Sequence, residues 1–160
     1  MKLEILSKRD KEKISELLKD AYGLGLPRCH IIQSSKERLR IFTGDLSERE
    51  LLILANTIRL ETIGLYFAFI KNENEKGSEF RLSFDSSLVF KDATKNILEL
   101  DEGQMKLWIS GHDLDIDSDK IELVYPFVLL RYKEEIIGCG KLTQNKVLNF
   151  VPKERRIKHF

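Results

Sequence analysis

Cysteine is scarce in the 160 residues: two occur, Cys29 and Cys139, 110 positions apart. Such sparing use, with no apolar signal segment at the start, fits a reducing cytoplasm better than secretion, and both thiols are expected to be free. Histidine occurs three times. His30 adjoins Cys29, but two ligands without a second pair at zinc spacing do not make a metal centre, so neither a metal nor a cofactor is expected. Proline also occurs three times, too few for a long Pro-rich linker, and there is no internal repeat to suggest a solenoid. No run approaches the ~20 apolar residues that cross a bilayer, which leaves only peripheral membrane contact. Neither a nucleophile elbow nor a flanked reactive cysteine is present, and no catalytic residue is assigned.

Charge is plentiful and unevenly placed. The chain has 27 Lys and Arg against 26 Asp and Glu, a net charge of +1. From Gly138 onward six cations, Lys141, Lys146, Lys153, Arg155, Arg156 and Lys158, face one acid, Glu154, so this stretch carries +5 and residues 1–137 carry −4. A concentrated positive segment is the footprint of a surface that meets phosphates, because opposite charge steers approach and contact releases counterions. The partners it fits are nucleic acid or an anionic membrane surface; the plain alternative is a solvated basic tail.

Ser7 and Asp10 mark a helix start, and Ile14, Leu17, Leu18 and Ala21 recur at helical spacing until Gly23 and Gly25. The mixed charges on its other face read as solvated surface. His30–Gln33 and Arg38–Thr43 read as strands. Ser47 with Glu50 forms a capping box for a helix to about Leu60, and Ile63–Ile70 and Glu79–Phe84 read as strands flanking a polar turn at Asn72–Gly77. An irregular or helical connector over Ser86–Leu98 leads to the acidic turn Glu99–Gly103, taken as the domain boundary. Residues 1–98 are expected to form an α+β domain. In residues 99–160, Met105–Ile109 and Lys120–Val124 are strand candidates. Phe127–Leu130, a turn at Arg131–Glu135 and the strand from Ile136 make a hairpin; a reversal at Gln144 and Asn145 leads to a strand over Val147–Val151, ended by Pro152.

Glycine at 138 and 140 inside the returning strand marks a bulge or a close backbone approach. Gly138-Cys139-Gly140-Lys141 is not a phosphate loop, since Glu135 stands where its first glycine belongs and Leu142 where its Mg²⁺-binding hydroxyl belongs. The alternating acids Asp113, Asp115, Asp117 and Asp119 open like a calcium loop, but Ser118 replaces the turn glycine and Val124 the bidentate glutamate. They read as a solvated acidic turn.

The succession of strand, RYKEE turn, IIGCGK, turn, strand and NFVPKERRI resembles the PUA domain, a small RNA-binding pseudo-barrel. Upstream, ETIGLYFAFIKNENEKGSEFRLSFDSS is similar to the amino-terminal domain of the two-domain PUA proteins of large-subunit ribosome assembly. The resemblance covers roughly Ile63–Ile157. It implies an α+β fold whose second domain is mostly β, and RNA contact through Lys141, Lys153, Arg155 and Arg156. The residues themselves add Lys146 and Lys158 as an extension of that track, and Tyr132 and Phe150 as rings that serve either as stacking platforms or as core. The resemblance further implies a non-catalytic cytoplasmic ribosome-biogenesis factor that holds large-subunit rRNA while its first domain contacts assembly proteins. The alternatives are an RNA-binding accessory of a separate methyltransferase or pseudouridine synthase, and a basic adaptor at protein or membrane surfaces. Arg155 and Arg156 are both expected at the surface.

Overall fold

The computed structural model describes residues 3–73, 77–117 and 125–160. It divides into two compact units, Met1–Asp20 with Gly25–Arg81, and Ala21–Leu24 with Leu82–Phe160. The first unit holds a five-stranded sheet ordered β1-β2-β3-β4-β5, from Glu4–Ile5, His30–Ser35, Arg38–Phe42, Leu65–Glu73 and Gly77–Leu82, the last of which runs across the division. Helix α1 (Lys8–Tyr22) begins where the Ser7 hydroxyl accepts the Asp10 amide at 3.2 Å, and stops before Gly23, whose φ of +68° lies in the region glycine tolerates. Helix α2 (Glu48–Thr57) has the full capping box: Ser47 accepts the Glu50 amide, and the Glu50 carboxylate accepts the Ser47 amide at 2.7 Å. The Ser47 hydroxyl first, and then that backbone bond, hold the Glu50 carboxyl below its usual range. Leu51 packs with Leu3 and Ile32 in this unit's core.

The second unit holds a five-stranded sheet ordered β6-β8-β9-β10-β7, formed by Ile97–Glu99, Phe127–Tyr132, Glu135–Leu142, Lys146–Leu148 and Leu114–Asp115. All pairings are antiparallel except β6 with β8. The predicted hairpin is present with a tighter turn, Lys133 and Glu134, and Lys133 takes a φ of +57°. Between Leu130↔Gly138 and Arg131↔Ile136 the register skips Ile137, so β9 bulges beside Gly138.

Several elements differ from the sequence expectation. Met105–Ile109 is not a strand but lies in α4 (Glu102–Ile109), started by Asp101, which accepts the Gln104 amide at 2.8 Å while the Gln104 side chain accepts the Asp101 amide at 3.0 Å. The second unit therefore carries helices beside its five-stranded sheet. Its connector contains α3 (Phe84–Val89) and the parallel strand β6. The acidic turn lies inside this unit, with Glu99 ending β6 and Asp101 capping α4. Beyond Leu148 the ladder ends: the Asn149 backbone amide donates to the Asp113 carboxylate at 2.8 Å, while its side chain donates to Trp108 O at 2.7 Å and His112 O at 3.0 Å. The candidate strand Lys120–Val124, part of the turn at Asn72–Gly77, and Ser118, Asp119 and Val124 lie outside the described residues.

Trp108 is the centre of this unit. Its indole, fully buried, sits with Leu100, Leu114, Val128, Leu130, Val147 and Val151, and donates from Nε1 to Ile137 O at 3.1 Å. On the other face of β9, Cys139 Sγ lies 3.8 Å from the Tyr22 hydroxyl. Burial, reinforced by Cys139 and Tyr125, raises the Tyr22 phenol well above its ordinary range and keeps it neutral. Both cysteines are buried, and neither is in a disulfide.

Candidate nucleic-acid interface

The six late cations do not form one track. The β9–β10 register sets Lys141 opposite Leu148, and the pleat puts Lys146 on that same face. Lys141 lies half-buried with Nζ 5.4 Å from the Phe127 ring centre, and Lys146 faces Asp115 at 3.7 Å in an exposed pair. The other four belong to the segment after β10, where a 3₁₀ turn spans Lys153–Arg155.

Within that segment the two arginines have different work. Arg155 is exposed and meets Asp85 at 3.4 Å. Arg156 is half-buried: Nε donates to Val151 O at 3.1 Å, and its guanidinium lies so close to Gly111 that a Cβ there would sit 2.3 Å from Nε. This corrects the expectation that both are surface groups. The reason is local, since the turn reverses the chain and aims Arg156 back at Val151 and the loop after α4. Arg156→Ala should therefore lower stability by about 1–2 kcal/mol, the scale of a lost charge-assisted hydrogen bond plus packing. Arg155→Ala should cost less than about 1 kcal/mol, as exposed ion pairs do. Paired urea titrations read the difference; equal losses would show that Arg156 holds nothing in place.

Lys153 and Lys158 are exposed and have no acidic side chain within 4.0 Å among the described residues. They and Arg155 are the cations best placed to meet a phosphate. Of the suggested platforms, Phe150 and Tyr132 are both half-buried, and Lys133 Nζ lies 5.1 Å from the Tyr132 ring centre. A more exposed ring was overlooked. Phe160 is 66% exposed beside Lys106, whose Nζ lies 5.9 Å from its centre. No sequence period marks it, because its placement depends on α4.

The glycines of β9 do not open a binding loop. A Cβ on Gly138 would come within 2.7 Å of Trp108 Nε1, and one on Gly140 within 2.8 Å of the same ring, so both glycines admit the indole. Their role is core packing. Among the described residues no group of His, Cys, Asp and Glu is arranged to hold a metal ion. No helix among them is long and apolar enough to cross a membrane.

Comparison with known proteins agrees with the part of the chain that carries this surface. The chain is 25% identical over 149 residues to ribosomal RNA small subunit methyltransferase F of Vibrio vulnificus (strain YJ016), covering 92% of this chain and 29% of that protein. The corresponding protein of Vibrio parahaemolyticus serotype O3:K6 is 24% identical over 150 residues, covering 92% and 30%. The chain thus spans about three-tenths of the length of these relatives. They are named for the small subunit, so the closer likeness to large-subunit assembly factors is not supported. Residues 95–157 match the PUA domain of methyltransferase RsmF, and over that segment the PUA resemblance holds.

Proposed function

We propose that this chain is a cytoplasmic RNA-binding module that holds small-subunit ribosomal RNA for a methyltransferase and does not itself transfer the methyl group. The observation that carries the reading is the alignment of nearly the whole chain with a minor share of a ribosomal RNA methyltransferase, together with the PUA match over 95–157. Lys153 and Lys158 support it as exposed cations with no acidic partner among the described residues, and Arg155 can exchange its solvent-exposed contact with Asp85 for a phosphate. The first unit meets protein in this reading, with the methyltransferase in place of the assembly factors first expected. Ile53 and Ile58 of and beside α2, 54% and 51% exposed, supply apolar surface for such a contact.

Binding to transcripts of small-subunit rRNA, large-subunit rRNA and transfer RNA tests it. Small-subunit fragments should be held most tightly, and if Lys153, Arg155 and Lys158 each meet a phosphate of a single strand, log affinity should fall with log salt at about −0.7 × 3, roughly −2. Arg155→Ala should flatten that slope by about 0.7. Absence of binding to every RNA, or methyl transfer by the chain alone with a methyl donor, would defeat the reading.

A further inference from the structure

We propose that Phe160, with the α4 surface beside it, is a stacking platform for an unpaired RNA base, an inference that rests on the RNA-binding reading above. Two separate segments build this surface. The Ile157 amide donates to Ile109 O at 3.0 Å, which ties the residues after the 3₁₀ turn to the end of α4. Arg156 reinforces the tie through Val151 O and its close fit against Gly111. Phe160 then lies beside Lys106, one turn from the start of α4.

Three large apolar side chains are left in water here: Phe160 at 66%, Leu107 at 50% and Ile157 at 49% exposure. A single exposed apolar residue needs no explanation, but three on a tied pair of segments form a surface suited to a flat apolar partner. Charge selects among such partners. Residues 153–160 carry Lys153, Arg155, Arg156 and Lys158 against Glu154; with Arg155 matched by Asp85 at 3.4 Å and Lys106 by Glu102 at 2.7 Å, the segment keeps Lys153, Arg156 and Lys158 in excess. The segment that carries Ile157 and Phe160 is therefore both positive and apolar. An acidic polymer with flat apolar groups along it, which is what single-stranded RNA is, satisfies both features at once.

Ring and cations also divide the work. Stacking is indifferent to salt and needs a base, whereas Lys153 and Lys158 need only phosphate. The test follows from that division. A fluorescent single-stranded RNA of about ten nucleotides, within the span such sites cover, is compared with an abasic ribose-phosphate strand of the same length. Wild type should bind the base-bearing strand more tightly. Phe160→Ala should weaken that binding by about 5- to 150-fold, the effect of losing one stacked base, and should leave the salt slope and abasic-strand affinity unchanged. Phe160→Trp should retain the preference. Lys158→Ala should lower both affinities and flatten the slope, leaving their ratio alone.

If wild type binds RNA and Phe160→Ala keeps the same preference for bases, the platform is wrong while the RNA reading stands. If wild type binds neither strand, the RNA reading itself has failed. Loss of binding to anionic phospholipid vesicles in Phe160→Ala, without any loss on RNA, would assign the surface to membrane and overturn the proposal.

Discussion

Trp108→Ala is expected to destabilise the second unit by about 3–5 kcal/mol, the range for removing a buried large aromatic side chain. The indole is fully buried, so the loss includes both its transfer from water and the cavity left among Leu100, Leu114, Val128, Leu130 and Val147. The Ile137 carbonyl also loses the Nε1–H that reaches it at 3.1 Å, at the bulge in β9. Trp108→Phe separates these contributions. A phenyl ring fills part of the space but cannot donate, so it should cost less than alanine, about 1–3 kcal/mol for the lost bond and the misfit. Because Trp108 is the chain's sole tryptophan, unfolding should be followed by circular dichroism rather than by its emission. If alanine costs no more than about 1 kcal/mol, α4 is not the keystone of this core.

The same residue shows where sequence reading succeeds and stops. Ser47 with Glu50 located α2 correctly, because a capping box declares itself through hydrogen bonds confined to four residues. Asp101 with Gln104 makes the same signal, yet the short apolar stretch through Met105–Ile109 reads equally well as a strand. Length settles such ambiguity only when helices are long, and α4 has eight residues. Its hydrophobic side is narrow, with Trp108 its buried residue. Strand β6 was hidden for another reason: it has three residues and pairs in parallel with β8, some thirty positions away, so no turn chemistry announces it.

Late charge was legible as an inventory, but its division of labour was not. Arg155 and Arg156 are neighbours with the same side chain, and one points to Asp85 while the other closes onto Val151 and Gly111. That difference depends on the turn at Lys153–Arg155 and on a glycine more than forty positions earlier. Composition can count cations, but only the fold shows which of them are already spent on holding the chain. The PUA match covers 95–157 and includes both kinds, so family likeness does not separate them either.

Gly140→Ala and Gly138→Ala should both destabilise the second unit, for reasons that a third substitution can tell apart. At Gly140 the obstacle is space: a Cβ would lie 2.4 Å from Val147 Cγ1, 2.8 Å from the Trp108 ring and 3.0 Å from Leu148 O. Forcing a methyl group into such a core costs about 1–3 kcal/mol. At Gly138 the indole is also close, at 2.7 Å, but the backbone itself has φ +149°, a conformation that costs a side chain about 1–3 kcal/mol more. Gly138→Ala should therefore be the worse of the two. Val147→Ala removes the nearest obstacle to a methyl at 140 and does nothing for the backbone at 138. On its own it leaves a small cavity, yet the pair Gly140→Ala with Val147→Ala should be more stable than the sum of the separate losses, by about 0.5–3 kcal/mol. Gly138→Ala combined with Val147→Ala should simply add. Urea titrations of the five variants and wild type complete both cycles. A neutral Gly140→Ala would mean that the indole does not lie against β9, and additive behaviour in both pairs would show that Val147 is not what excludes a side chain there.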